Sequence, residues 1–203
     1  MQTLAQVTEK LYLYFDLLNS KYFNDELVTP VITIQKDSGK KNTTCYGWCT
    51  CHPVWKTSEE SYFEINIVAD SLNRPIEQVI GTLLHEMNHL SNIQKGIKDV
   101  SGASNQYHNA EFKKTAEQHG LCISKNHYGW SETTISEETQ EFLTSINAQS
   151  FELFREREFK LAAAPKTQES HTYVCSGCDG KVKSKMEMNL HCMDCDLDME
   201  EDI

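Results

Sequence analysis

Leu84-His85-Glu86-Met87-Asn88-His89 is the stretch that decides the reading of this chain. Two histidines four residues apart on a helix project from one face, where both imidazoles reach a single metal ion. The glutamate that follows the first histidine stands beside that ion, placed to act as general base on a bound water. The surrounding residues fit a helix with two different faces. Ile76, Val79, Ile80, Leu83, Leu84, Met87 and Leu90 share one apolar stripe about 140° wide at 100° per residue. His85 and His89 lie nearly opposite its centre, beside Gln78 and Thr82. Ser71 or Asn73 is expected to cap this helix, with Pro75 in its first turn. Its end is expected near Gln94, before Gly96.

A catalytic zinc needs a third protein ligand and an open coordination position. His108, at the start of the next expected helix, is the candidate, and a helix–loop–helix turn would bring it back over the first. His119, His127 and Glu111 remain alternatives on spacing alone.

Working outward, residues 4–20 carry apolar residues at helical spacing. Strands are expected at Val31–Gln35, Thr44–Cys51 and Tyr62–Val68, separated by polar segments. Residues 97–107 read as irregular, a helix runs from about Asn109 to Gly120, and a further helical stretch starts near Ser136 and reaches Ala164. The expected fold is α+β, a small sheet packed with the metal helix and further helices. The expected domains are 1–164, a polar linker at 165–170, and a cysteine-bearing tail at 171–203.

In that tail, Cys175, Cys178, Cys192 and Cys195 form two knuckles with the spacing of a four-thiolate zinc ribbon. So short a segment buries too little apolar surface to fold without help, so a structural metal is needed. Tyr173, Val174 and Leu190 are expected to flank the knuckles as short strands, and His171 and His191 are possible substitute ligands. Cys45, Cys49 and Cys51 fall on one face of an expected strand and read as buried structural thiols. Two zinc ions are therefore expected, one catalytic and one structural.

Composition narrows the function classes. The 203 residues carry a net charge of −11, with 39% hydrophobic and 24% charged residues. Mean hydropathy is −0.53 and the pI is near 5.2. No apolar run approaches the ~18 residues of a membrane span, and the first residues do not read as a secretory signal. Knuckle cysteines suit a reducing compartment, so a cytoplasmic location is expected, with no membrane partner. Bulk charge gives no support to an autonomous nucleic-acid binder.

The metal helix, Gly96-Ile97-Lys98-Asp99 and Tyr107-His108-Asn109-Ala110-Glu111-Phe112 together resemble the SprT-like metallopeptidases. That family includes the DNA–protein crosslink protease Spartan and many bacterial and phage-borne proteins. The likeness extends to Tyr46-Gly47-Trp48-Cys49, Glu64-Ile65-Asn66-Ile67 and Tyr128-Gly129-Trp130, and several members also carry a C-terminal zinc ribbon. One departure is Asn109, where a glycine often follows the third histidine. The resemblance implies that His85, His89 and His108 ligate zinc, that Glu86 is the catalytic acid/base, and that the substrate is a protein or peptide. It also implies a weak association with nucleic acid. Two other readings stay open: a zinc-stabilised adaptor without turnover, and a zinc hydrolase acting on other bonds.

Overall fold

The computed structural model describes residues 1–36, 45–102, 107–156 and 170–202. The chain divides into two compact units, Met1–Arg157 and Glu158–Ile203. Among the described residues, the first is a mixed α+β unit with four α-helices and small sheets, and the second is a set of short strands around the tail cysteines.

Helix α1 (Leu4–Phe23) opens on a reciprocal cap: Thr3 accepts from the Gln6 N–H, and Gln6 Oε1 accepts from the Thr3 N–H. It is followed by β1 (Val31–Gln35), β2 (Gly47–Cys49), the hairpin strands β3 (Trp55–Lys56) and β4 (Ser61–Tyr62), and β5 (Glu64–Val68). In the first sheet β5 is central: β1 pairs with it in parallel and β2 antiparallel. All five residues of β5 are buried, as a strand covered on both faces requires. Of the expected strand 44–51, residues 47–49 are paired, and Thr44 lies outside the described residues. The expected strand 62–68 is divided between β4 and β5.

Helix α2 (Ile76–Gln94) packs its apolar stripe against α1 and β5. Val79, Ile80, Leu83, Leu84, Met87 and Leu90 are fully buried, and Ile76 nearly so. The cap differs from expectation. Pro75 itself occupies the N-cap with no side-chain hydrogen bond, while Ser71 Oγ donates instead to the Val68 carbonyl at 2.7 Å, closing a 3₁₀ turn at Ala69–Ser71.

Between α2 and α3 (Ala110–Gln118) lie the short strands β6 (Val100–Ser101) and β7 (Tyr107–His108), in a segment expected to be irregular. A hairpin follows, β8 (Leu121–Asn126) and β9 (Gly129–Ile135), giving a second sheet ordered β6-β7-β9-β8. Helix α4 (Glu137–Ser145) is much shorter than the expected stretch to Ala164. Asn147 turns left-handed (φ 50°) and ends the helix. The next backbone groups are taken elsewhere: Gln149 N–H donates to Tyr14 Oη at 2.9 Å, and Glu152 N–H to Gln2 Oε1 at 3.0 Å. Residues 157–164 of that expectation lie outside the described residues.

In the second unit, β10 (His171–Val174) pairs antiparallel with β11 (Lys181–Ser184) and with β14 (Glu200–Glu201), and β12 (His191–Cys192) with β13 (Leu197–Asp198). Tyr173 and Val174 lie in β10 as expected, whereas Leu190 precedes β12 and accepts the Met199 N–H.

Candidate metal centre and cleft

His85 and His89 stand half-buried on the side of α2 away from its apolar stripe, and His108 comes from β7. His108 Nε2 lies 3.1 Å from His85 Nε2 and 3.0 Å from His89 Nε2. A tetrahedral ion at Zn–N distances near 2.0–2.1 Å sets its nitrogens about 3.3 Å apart. The cluster therefore fits zinc with little adjustment. The other ring nitrogens fix the tautomers. His89 Nδ1–H donates to Asp99 Oδ2 at 2.7 Å, and His85 Nδ1–H to Thr133 Oγ1 at 2.8 Å, while Thr133 spends its own hydroxyl proton on the Ser131 carbonyl. Both Nε2 lone pairs are left facing the centre. Asn92 Nδ2 donates to the same Asp99 oxygen at 2.9 Å and holds the carboxylate in place.

Phe112 forms the floor. Its fully buried ring sits 4.5, 4.7 and 4.6 Å from the imidazoles of His85, His89 and His108. Two features bring His108 there. Its N–H donates to the Tyr128 carbonyl at 3.0 Å, and its backbone pairs with Gly129 in β9. Gly129 has φ +83°, and a Cβ there would overlap the His108 carbonyl oxygen. Asn109 needs no glycine-like conformation: it is extended, its Oδ1 caps α3 by accepting from Glu111 and Phe112, and its Nδ2 donates to the Lys98 carbonyl.

Glu86 is buried on the same helix, outside the three-histidine cluster. Burial pushes its carboxyl up to about 7, against the opposing pull of His89 and a hydrogen bond from the Cys49 backbone. Burial, together with the neighbouring His89 and His108, holds His85 well below the usual histidine range. For His89 burial acts in the same sense, but the Asp99 hydrogen bond and the Glu86 charge outweigh it and raise the group. Strand β2 reaches Glu86 because Gly47 lacks a side chain. A Cβ at Gly47 would lie 2.8 Å from the Asn66 carbonyl oxygen, 2.9 Å from Thr82 Cγ2 and 3.3 Å from Glu86 Oε1.

The three histidines and Glu86 open onto a cleft of about 1020 Å³ between β2, α2 and the β8–β9 hairpin. Cys45, Cys49 and Cys51 line this cleft, which corrects their reading as buried structural thiols: Cys49 is half-buried and Cys51 exposed. Burial raises the Cys49 thiol, and the nearby Glu86 adds to the effect, so it stays protonated. The alternatives to His108 are placed elsewhere. His119 Nδ1–H donates to Asn88 Oδ1 at 2.7 Å, Glu111 sits in the first turn of α3, and His127 lines the cleft apart from the cluster.

The sequence assigns no role to Asp99, Thr133, Asn92 or Phe112, although Asp99 and Phe112 lie in stretches that carry the family likeness. The local signal for Thr133 is the alternation of buried Leu121 and Ile123 with exposed Cys122 and Ser124, which marks a strand, and Thr133 pairs with Ile123 across the hairpin.

In the second unit Cys175, Cys178, Cys192 and Cys195 bring their sulfurs within 4.8 Å of one another. Cys178 and Cys192 sulfurs are 3.8 Å apart, close to the ~3.8 Å edge of a tetrahedron with Zn–S near 2.3 Å. The Gly177 N–H donates to Cys175 Sγ and holds that thiol down at about 7. These four thiols can form a zinc ribbon. His171 and His191 are engaged elsewhere, with Glu201 and with Asp196 and Asp198.

Comparison with protein families agrees with this geometry: the model of the SprT-like family matches residues 11–136. The chain belongs to the SprT-like family. The match runs from within α1 to just past the end of β9 and so includes the three histidines, Glu86 and the cleft walls, but not the tail cysteines. No curated protein and no solved structure matches the chain. Among the described residues, no helix is long and apolar enough to cross a membrane.

Proposed function

We propose that this SprT-like protein is a zinc-dependent metallopeptidase, with His85, His89 and His108 as metal ligands and Glu86 as general base. The observation that carries the proposal is the convergence of three Nε2 atoms beneath an open cleft whose wall holds a carboxylate outside the ligand set. A purely structural site has no use for such a base. Zinc bound there supplies Lewis acidity and draws the pKa of a coordinated water towards ~7.

The residues do the rest. Glu86, held by the Cys49 backbone, takes the proton of the attacking water on its carboxylate and returns it to the leaving amine nitrogen. Thr133 and Asp99 keep the His85 and His89 rings turned toward the centre. Of Tyr128 and Tyr107, the two candidate donors to the developing oxyanion, we favour Tyr128, because it lines the cleft whereas Tyr107 is exposed outside it.

Cys175, Cys178, Cys192 and Cys195 hold a second, structural zinc in this proposal. The tail has four basic and nine acidic residues after position 164, and Lys181, Lys183 and Lys185 lie exposed along β11 and beyond its end. Counterion release from so few cations is small, so any contact with nucleic acid is weak. Protein recognition or substrate positioning is the task we assign to the tail, in a reducing, cytoplasmic setting.

The test is zinc content beside protease activity, with and without DNA, for wild type, Glu86→Gln and His85→Ala. Hydrolysis should vanish in Glu86→Gln with zinc retained, and zinc should fall in His85→Ala. Full zinc without turnover on any peptide or protein would favour the adaptor reading.

A further inference from the structure

We propose that Arg74 sets the specificity of the cleft by receiving a carboxylate side chain of the bound peptide, on the side of the scissile bond nearest the start of α2. The proposal rests on the peptidase reading and adds a substrate class to it. Arg74 stands in the turn leading into α2, half-buried, and lines the cleft. Its guanidinium is fixed on three sides. Nε–H donates to the Ser71 carbonyl at 2.9 Å, an Nη2–H donates to Thr82 Oγ1 at 2.9 Å, and Cζ lies 4.1 Å from the centre of the Tyr46 ring. Thr82 Oγ1 can accept because its own proton goes to the Gln78 carbonyl.

Among the described residues two of the five guanidinium N–H groups find acceptors, so three remain to donate. Among the described residues no carboxylate lies within 4 Å of this cation. A half-buried cation without a counter-ion is costly unless hydrogen bonds and an aromatic face support it, and both are present here. A planar fork held in one orientation is pre-organised for a carboxylate, which it binds through two parallel hydrogen bonds.

Position gives the register. Thr82 precedes Glu86 by four residues, about 6 Å along the helix. An extended peptide advances about 3.3 Å per residue, so the carboxylate belongs to a side chain about two residues from the bond being cut. A nucleic-acid phosphate is the weaker candidate. Among the described residues the cleft lining offers only Arg74 and Lys98 as lysine or arginine, beside the acidic Glu77, Glu86, Asp99 and Glu132, and a phosphodiester chain needs clustered cations.

The experiment uses the full-length, zinc-loaded chain and quenched fluorescent peptides in which one Glu is scanned along a neutral sequence, each beside its Gln counterpart. One register should favour Glu by about tenfold in kcat/KM, carried mainly by KM. R74Q should collapse that Glu/Gln ratio to near one whatever it does to the absolute rates, and R74K should leave an intermediate ratio. A purely structural arginine would instead lower both peptides together and keep the ratio. A ratio near one in wild type, or one unchanged in R74Q, overturns the proposal. If R74Q does not fold, an R74K ratio equal to wild type overturns it.

Anisotropy of the same labelled pairs reads the site without turnover. If no peptide is cut, the peptidase reading fails. Arg74 is then judged by binding: tighter binding of the Glu peptide that R74Q abolishes sustains the site, and equal binding removes it. Displacement of the Glu peptide by a short oligonucleotide, dependent on Arg74, would assign the site to phosphate and overturn the peptide reading.

Discussion

Asp99 is the residue that most separates a metal centre from three adjacent histidines. Its carboxylate takes the His89 Nδ1–H at 2.7 Å and is itself held by Asn92. Replacing it with Asn leaves the ligands in place but weakens the acceptor that orients His89. Asp99→Asn should cost about 10–100-fold in zinc affinity, measured by chelator competition against wild type. An unchanged affinity would show that His89 needs no orienting partner. His85, Glu86 and His89 were legible in the sequence because a helix of fixed period places them by arithmetic. Asp99 and Thr133 were not, since each meets its histidine through a loop or a hairpin whose path no local period records.

Gly129 is where one element fixes another. With φ +83° and no room for a Cβ against the His108 carbonyl, it lets β9 run beside β7 and carry His108 to α2. An L-residue there costs about 1–2 kcal/mol in backbone strain alone. Gly129→Ala should therefore lower zinc occupancy of the histidine site while leaving the cysteine site filled; full occupancy of both would refute the positioning role. A second prediction concerns the packing of α2 on α3. Burial, and to a lesser degree Lys95, pulls His119 from 6.5 down to about 4, where it packs at a tilt against Phe23 and donates to Asn88. Between those values the unfolded chain holds the extra proton, so stability is fully present above 6.5 and is lost as pH falls towards about 4. Urea midpoints of metal-stripped protein should decline with acid across that window, and more shallowly in His119→Gln. Equal slopes would show that His119 is not the group responsible.

For the whole molecule, two separable zinc ions are predicted. The three-histidine site, open to the cleft, should lose metal to a chelator before the four-thiolate site. Elemental analysis returning one zinc per chain after full loading would contradict this. Deleting residues 166–203 should leave the histidine-bound zinc and cleavage of a small unstructured peptide largely intact, while impairing action on a folded substrate; loss of peptide cleavage would tie the tail to the catalytic step. Sequence alone was enough for the histidine-bearing helix, its buried stripe, the cysteine knuckles and the family likeness. Each of these is written in residues close along the chain, where helical period or ligand spacing sets the geometry. The tertiary structure decided that His108 is the third histidine of the cluster, that Phe112 floors it, that α4 stops at Ser145, and that Cys45, Cys49 and Cys51 face a cleft. Those outcomes depend on which distant strands pair and which backbone groups find partners, and burial against remote residues, not local propensity, settles that.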